Sequence, residues 1–151
     1  MAEGREERGG GRQLFCRVIT PEEIVYDGEA DLVVARIADG DLGVMVDHAP
    51  LVSSVEPGEV RIRDGEEQHI YATSDGFFKV SENLVQILVE EAVVPDEIDV
   101  NAAENRIEEA EREISEISED AEDRDRVRGE LERRRKVGES LVRLARKYQA
   151  G

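Results

Sequence analysis

The sequence predicts an α+β protein, with an N-terminal β-sandwich of about ten short strands followed by a C-terminal antiparallel α-helical hairpin. Three observations lead there. Short runs rich in Val, Ile, Phe and Tyr, separated by turn residues, fill the chain from Leu14 to about Glu91. After Pro95 the apolar residues recur at helical spacing instead. Charge then divides the helical part into an acidic and a basic half. The expected divisions are a disordered tail over residues 1–12, a sandwich over 13–94 and two helices over 95–149.

The tail, MAEGREERGGGR, is glycine-rich and charged, with too little apolar surface to fold. The strand-like runs are LFCRVIT, EEIVY, ADLVVARIA, EVRIR, QHIYATS, FFKVS and NLVQILVE. Turns are expected at Asp27-Gly28, Asp39-Gly40, Pro57-Gly58, Asp64-Gly65 and Asp75-Gly76. Glu59–Arg63, Asp64-Gly65 and Gln68–Ala72 read as a hairpin with a two-residue turn. Val60 and Ile62 alternate with Glu59, Arg61 and Arg63, so this strand has one dry and one wet face. Two such faces must cover each other to make a core, which is the argument for a sandwich.

In the second half, Val100, Ala103, Ile107, Ala110, Ile114 and Ile117 form a narrow apolar seam. Asp96 or Asp99 is placed to cap that helix. Val127, Leu131, Val137, Leu141, Leu144 and Ala145 mark a second helix, with the turn expected at Ser118–Asp123. Helices of roughly 20–25 residues would each be roughly 30–38 Å long. From Asp96 to Asp123 there are thirteen acidic and two basic residues; from Arg124 to Lys147 there are ten basic and four acidic. The two helices are therefore expected to attract each other, and the basic one can also dock on an acidic surface of a partner.

Composition narrows the function. The net charge of −17 repels phosphate backbones and anionic lipid, which argues against nucleic acid and direct membrane binding. Nothing approaches the ~20 apolar residues that span a bilayer, and no signal-peptide core is present, so an intracellular protein is expected. The single cysteine, Cys16, lies in an apolar run and is expected to be buried and inert. There is no Gly-rich phosphate loop, no nucleophile–base pattern and no metal-ligand cluster, so no enzymatic activity, metal or cofactor is expected. An adaptor with a free-standing sandwich and an interaction arm accounts for the architecture equally well.

The ordered motifs are more specific. Gly40-Asp41-Leu42-Gly43-Val44, Asp47-His48-Ala49-Pro50-Leu51 and Pro57-Gly58-Glu59-Val60-Arg61-Ile62 closely resemble the N-terminal domain of bacterial F-type ATP synthase epsilon subunits. Ser74-Asp75-Gly76-Phe77-Phe78-Lys79-Val80 resembles the family's next strand–turn segment, and Glu97-Ile98-Asp99-Val100 the start of its C-terminal helices. Order and spacing agree over about residues 13–148. The chain departs from the family at Val46-Asp47, where Pro-Gly is usual, and at Asp75-Gly76, where Gly-Gly is common.

The resemblance implies a rotor subunit beside gamma, between the membrane c-ring and the alpha and beta subunits of the catalytic head. Its expected location is peripheral, on the cytoplasmic face of the bacterial plasma membrane. It also implies residue roles. Asp41, Leu42 and Gly43 would form a polar-tipped loop facing the ring, and His48 a turn residue near gamma. The basic helix, through Arg124, Arg126, Arg128, Arg133, Arg134, Arg135, Lys136, Arg143, Arg146 and Lys147, would dock on an acidic segment of beta and restrain ATP hydrolysis. Ile98 and Asp99 partly match an Ile-Asp-x-x-Arg-Ala motif of ATP-binding members, with Arg128 and Arg135 as further basic positions. Ala102 stands where that motif has arginine, so weak or absent ATP binding is expected.

Overall fold

A computed structural model describes residues 12–149. The expected disordered tail lies outside the described residues except for Arg12, whose Nη1 sits 3.1 Å from Asp47 Oδ1. The chain divides into two compact units at Ala92/Val93.

The first unit is built from β1 (Leu14–Ile19), β2 (Ile24–Ala30), β3 (Leu32–Ile37), β4 (Gly40–Val44), β5 (Leu51–Val55), β6 (Gly58–Asp64), β7 (Glu67–Thr73), β8 (Gly76–Ser81) and β9 (Leu84–Val89), and the short β10 (Ala92–Val93) straddles its boundary. They form two five-stranded sheets, in the orders β2-β1-β9-β8-β5 and β10-β7-β6-β3-β4. This is the expected sandwich. β1 runs antiparallel to β2 and parallel to β9.

Pleating decides which residues enter the core, because neighbours along a strand point to opposite faces. Leu14, Cys16 and Val18 of β1 point inward, as do Val33 and Ala35 of β3, Val60 and Ile62 of β6, Phe78 and Val80 of β8, and Val85, Ile87 and Val89 of β9. Phe78 is the largest side chain completely shut off from solvent.

Two local expectations are corrected. Asp27-Gly28 is no turn but lies within β2, opposite Arg17 and Cys16 of β1. Arg17 Nε pairs with Asp27 Oδ1 at 3.2 Å, so the polar residue is held on the outer face of the ladder. The β6–β7 turn falls one residue later than Asp64-Gly65, since Asp64 pairs with Glu67. Gly65 takes φ +67°, which suits the first central position of a two-residue turn, and its N–H donates to Asp31 Oδ2 at 2.6 Å.

The second unit opens with a 3-10 turn (Pro95–Glu97), then α1 (Val100–Ser115) and α2 (Arg124–Tyr148). Asp99, not Asp96, caps α1, accepting from Ala102 N at 3.1 Å. At 16 residues, α1 is shorter than expected, and Ile117 of the seam lies beyond it. Ser115 Oγ donates to the Arg112 carbonyl at 2.6 Å, competing with the helix ladder. Glu116, Glu119 and Asp120 follow, and negative charge is unfavourable at a helix C-terminus. α2 runs for 25 residues. Ser118–Asp123, the expected turn, lies in the connection.

Cys16 is fully buried, and burial, with Asp27 second, pushes its thiol from 9.0 up to about 12. Above pH 9 the unfolded thiol ionises while the folded one stays protonated, so deprotonation favours the unfolded state. We expect stability to fall from about pH 9 towards about 12. A Cys16→Ala chain should show a shallower loss in urea titrations across that range, and equal slopes would remove Cys16 as a cause.

Candidate functional site

The β sheets carry two surface features and the hairpin a third. Asp41, Leu42 and Gly43 were expected on a loop; they lie instead in β4, an edge strand of the second sheet, paired with Arg36, Ala35 and Val34 of β3. The reversal is made by Ala38 and Asp39. Leu42 packs against the core, which leaves Asp41 and Gly43 exposed. Asp41 Oδ1 is 3.9 Å from Arg36 Nη1 across the ladder, with both side chains more than half exposed, so the pair contributes little.

His48 sits half-buried after β4, its Nδ1 2.7 Å from the Ala49 carbonyl oxygen. Its N–H donates to Met45 O at 3.2 Å and closes a turn whose third residue, Asp47, has φ +66°. Such a turn favours glycine at that position, which is the residue the resembling family usually places there. The other histidine, His69, stands beside Tyr26 and Glu67. Among the described residues no group of His, Cys, Asp and Glu could hold a metal ion, and no helix is long and apolar enough to cross a membrane.

The outer face of the first sheet is a feature that sequence reasoning missed. Register places Ile24 opposite Ile19, Ile19 opposite Leu88, and Leu88 opposite Phe77, so an apolar row crosses four strands. Phe77 is 64% exposed and Ile24 54%; Val52, on the neighbouring β5, is 69% exposed. An open groove of about 450 Å³ runs beside Phe77 and Leu88, rimmed by Asp75 and Glu90. The available signal was Phe77-Phe78 itself, because adjacent strand residues cannot both face the core.

In the hairpin, Gly138 is the close-approach point: a Cβ there would lie 2.8 Å from Ile107 Cγ1 and 3.2 Å from the Ala103 carbonyl. Ala103 and Ala110 are the fully packed positions of α1, small enough for the helices to meet. Gln149 Nε2 donates to the carbonyls of Pro95 (2.7 Å) and Ile98 (3.0 Å), tying the end of α2 to the entry of α1.

The expected attraction between helices is present at Arg134–Glu113 (4.0 Å) and Arg146–Glu104 (3.7 Å). Much of the basic helix is also answered locally. Arg126 reaches Asp123 and Glu130, Arg128 reaches Glu132, Arg135 reaches Glu132 and Glu139, and Arg124 lies near Asp125. Arg133, Lys136, Arg143 and Lys147 are exposed along the same helix.

The four residues marked for ATP are not gathered in one place. The Asp99 carboxylate is the cap of α1, and the Ile98 carbonyl is held by Gln149. Arg128 lies 21 positions before Gln149, about 32 Å along α2 at about 1.5 Å per residue. Arg135 is 14 positions before it, about 21 Å away by the same rise. The groove between the helices, floored by Ile107 and Val142, mixes Glu104 and Glu139 with Arg143 and Arg146 at its rim. Opposite charges offset one another there, so the groove offers no concentrated field for a phosphate.

This architecture defines a class of small β-sandwich proteins with a C-terminal helical arm, and residues 13–95 match the family described as ATP synthase, Delta/Epsilon chain, beta-sandwich domain. An ATP synthase epsilon chain from Rubrobacter xylanophilus is 64% identical over 144 residues, covering 95% of this chain and 99% of that one. Another, from Alkalihalophilus pseudofirmus, is 40% identical over 110 residues, covering 73% and 83%. A chain of the Euglena gracilis mitochondrial ATP synthase, solved as OSCP/F1/c-ring, superposes with a TM-score of 0.67 at 25% identity, covering 87% of this chain and 80% of that chain. The chain belongs to the ATP synthase epsilon chain family, whose members are non-catalytic subunits.

Gly138→Leu should force the helices apart and destabilise the helical unit by about 1–3 kcal/mol. Amide exchange should then speed up across Ala103–Ala110, with sandwich amides unchanged. Unaltered exchange in α1 would mean that the close approach is dispensable.

Proposed function

We propose that the chain serves as a rotor subunit in the central stalk of a proton-translocating F-type ATP synthase. It links the catalytic head to the membrane c-ring, on the cytoplasmic face of the bacterial plasma membrane. The observation that carries this reading is the apolar row Ile24, Ile19, Leu88 and Phe77 on an otherwise strongly acidic protein. A contiguous apolar patch on a chain of net charge −17 fits a permanent partner, and within this family the gamma subunit is the partner proposed. His48 lies beside the β8–β9 turn, at the opposite end of those strands from the row, and is proposed as a separate point of gamma contact. Asp41 and Gly43, exposed on β4, would meet the polar loops of the ring, with Leu42 anchoring the strand from inside.

The hairpin would regulate hydrolysis. Its exposed cations, among them Arg133, Lys136, Arg143 and Lys147, are proposed to dock on an acidic segment of beta. Individual exposed pairs are worth about 0–1 kcal/mol, so docking would need several and would weaken with salt. The separation of Ile98 and Asp99 from Arg128 and Arg135, with alanine at 102, favours electrostatic docking over ATP sensing.

Phe77→Glu places a charge in the apolar row and should weaken gamma binding by about 2 kcal/mol or more, some thirtyfold in Kd. Calorimetry against a gamma-containing head complex checks this, and unchanged affinity would move the contact elsewhere. Asp41→Lys should reduce proton pumping in reconstituted membranes. Deleting residues 122–151 should raise the ATPase rate of the assembled head; an unchanged rate would show that the arm does not restrain it.

A further inference from the structure

The turn that carries His48 contains a residue in an unfavourable backbone conformation. Asp47 has φ +66°, a left-handed geometry that side chains adopt at a cost unless their surroundings hold them there. Asn83 supplies that hold. The Asp47 N–H donates to Asn83 Oδ1 at 2.6 Å, and Asn83 Nδ2 donates back to Asp47 Oδ1 at 3.2 Å. Arg12 Nη1 lies 3.1 Å from the same Asp47 oxygen.

Asn83 is itself fixed. With Glu82 (φ 51°) it forms the two-residue turn between β8 and β9, at φ 64°. Its carbonyl accepts from Phe15 N at 2.8 Å. One residue therefore joins the start of β1, the β8–β9 turn, and the crossover from β4 in one sheet to β5 in the other. The crossover is otherwise little buried: Met45 is 58% exposed and Val46 42%. With two of its side chains so exposed, the turn is held by its own His48 N–H to Met45 O bond, by Arg12 and by the clamp, and only the clamp ties it to the β8–β9 turn.

We infer that Asn83 is a positioning residue for docking: its clamp on Asp47 holds the Met45–His48 turn in the pose that meets the gamma subunit. This rests on the proposed gamma contact at His48. Without the clamp Asp47 relaxes to negative φ, the turn samples several poses, and binding must bear the cost of ordering it. The core does not depend on the clamp, so affinity should respond more than folding does.

The test uses the full chain and a gamma-containing head complex. Asn83→Gly removes the amide yet tolerates the positive φ of the β8–β9 turn, and it should weaken binding about tenfold, or about 1.4 kcal/mol. The Asp47 amide should exchange faster with solvent in the same variant. Adding Asp47→Gly should restore most of the affinity, because glycine keeps the left-handed turn without a clamp. Wild-type affinity in Asn83→Gly, or a double variant as weak as the single one, would overturn the inference. If the unaltered chain fails to bind, the gamma reading fails and takes the docking role with it, an outcome distinct from either.

Discussion

Strand β1 lies between β2 and β9, and its parallel run along β9 joins Phe15 to Leu84 and Ile19 to Leu88, residues 69 positions apart in the chain. With β2 on the other side, that pairing leaves β1 no open edge, and it sets Leu14, Cys16 and Val18 beside Val85 and Ile87 in the core. It also sets the opposite face. The register that buries Cys16 and Val85 puts Ile19 next to Leu88 outside, and so creates the apolar row. A slip of one residue would exchange the two faces of β1, exposing the core and burying Arg17. Core and docking face are two sides of one register.

The hairpin depends on something different. Its charges are conspicuous, but exposed ion pairs are individually weak, and many of those on α2 lie along the helix instead of across to α1. What brings the helices together is the absence of bulk at Gly138, Ala103 and Ala110, with Gln149 closing the open end. The local pairs on α2 also stiffen it as a single rod, so the cations facing outward keep a fixed spacing.

The sandwich and the hairpin were legible in the sequence because pleat and helix periods are local patterns: Val60 and Ile62 announce their inward face, and Ala103, Ile107 and Ala110 announce theirs. The β6–β7 turn was misplaced by one residue because Asp64-Gly65 and Gly65-Glu66 differ only in strand register, which cross-strand partners decide. Asp41–Gly43 was read as a loop because Asp and Gly signal turns, whereas β3 pairing draws all three into a strand. Phe77-Phe78 signalled one outward aromatic, but the row as a whole and the Asn83–Asp47 contact were invisible for a deeper reason. Both depend on residues brought together from distant parts of the chain, and no local pattern encodes that proximity.

The β1–β9 pairing has a consequence for how the protein is made. Contacts between residues far apart in the chain form slowly, because loop closure must precede the contacts that reward it. During synthesis β1 and β2 can form their hairpin early, but the other edge of β1 stays unpaired until β9 has been made. An open strand edge beside apolar side chains is a template for pairing with other chains. The helical unit, whose neighbours are closer in sequence, carries no comparable delay. The vulnerable interval in the life of this protein is therefore the stretch of translation between Ile19 and Leu88, when an inner strand of its first sheet waits for its partner.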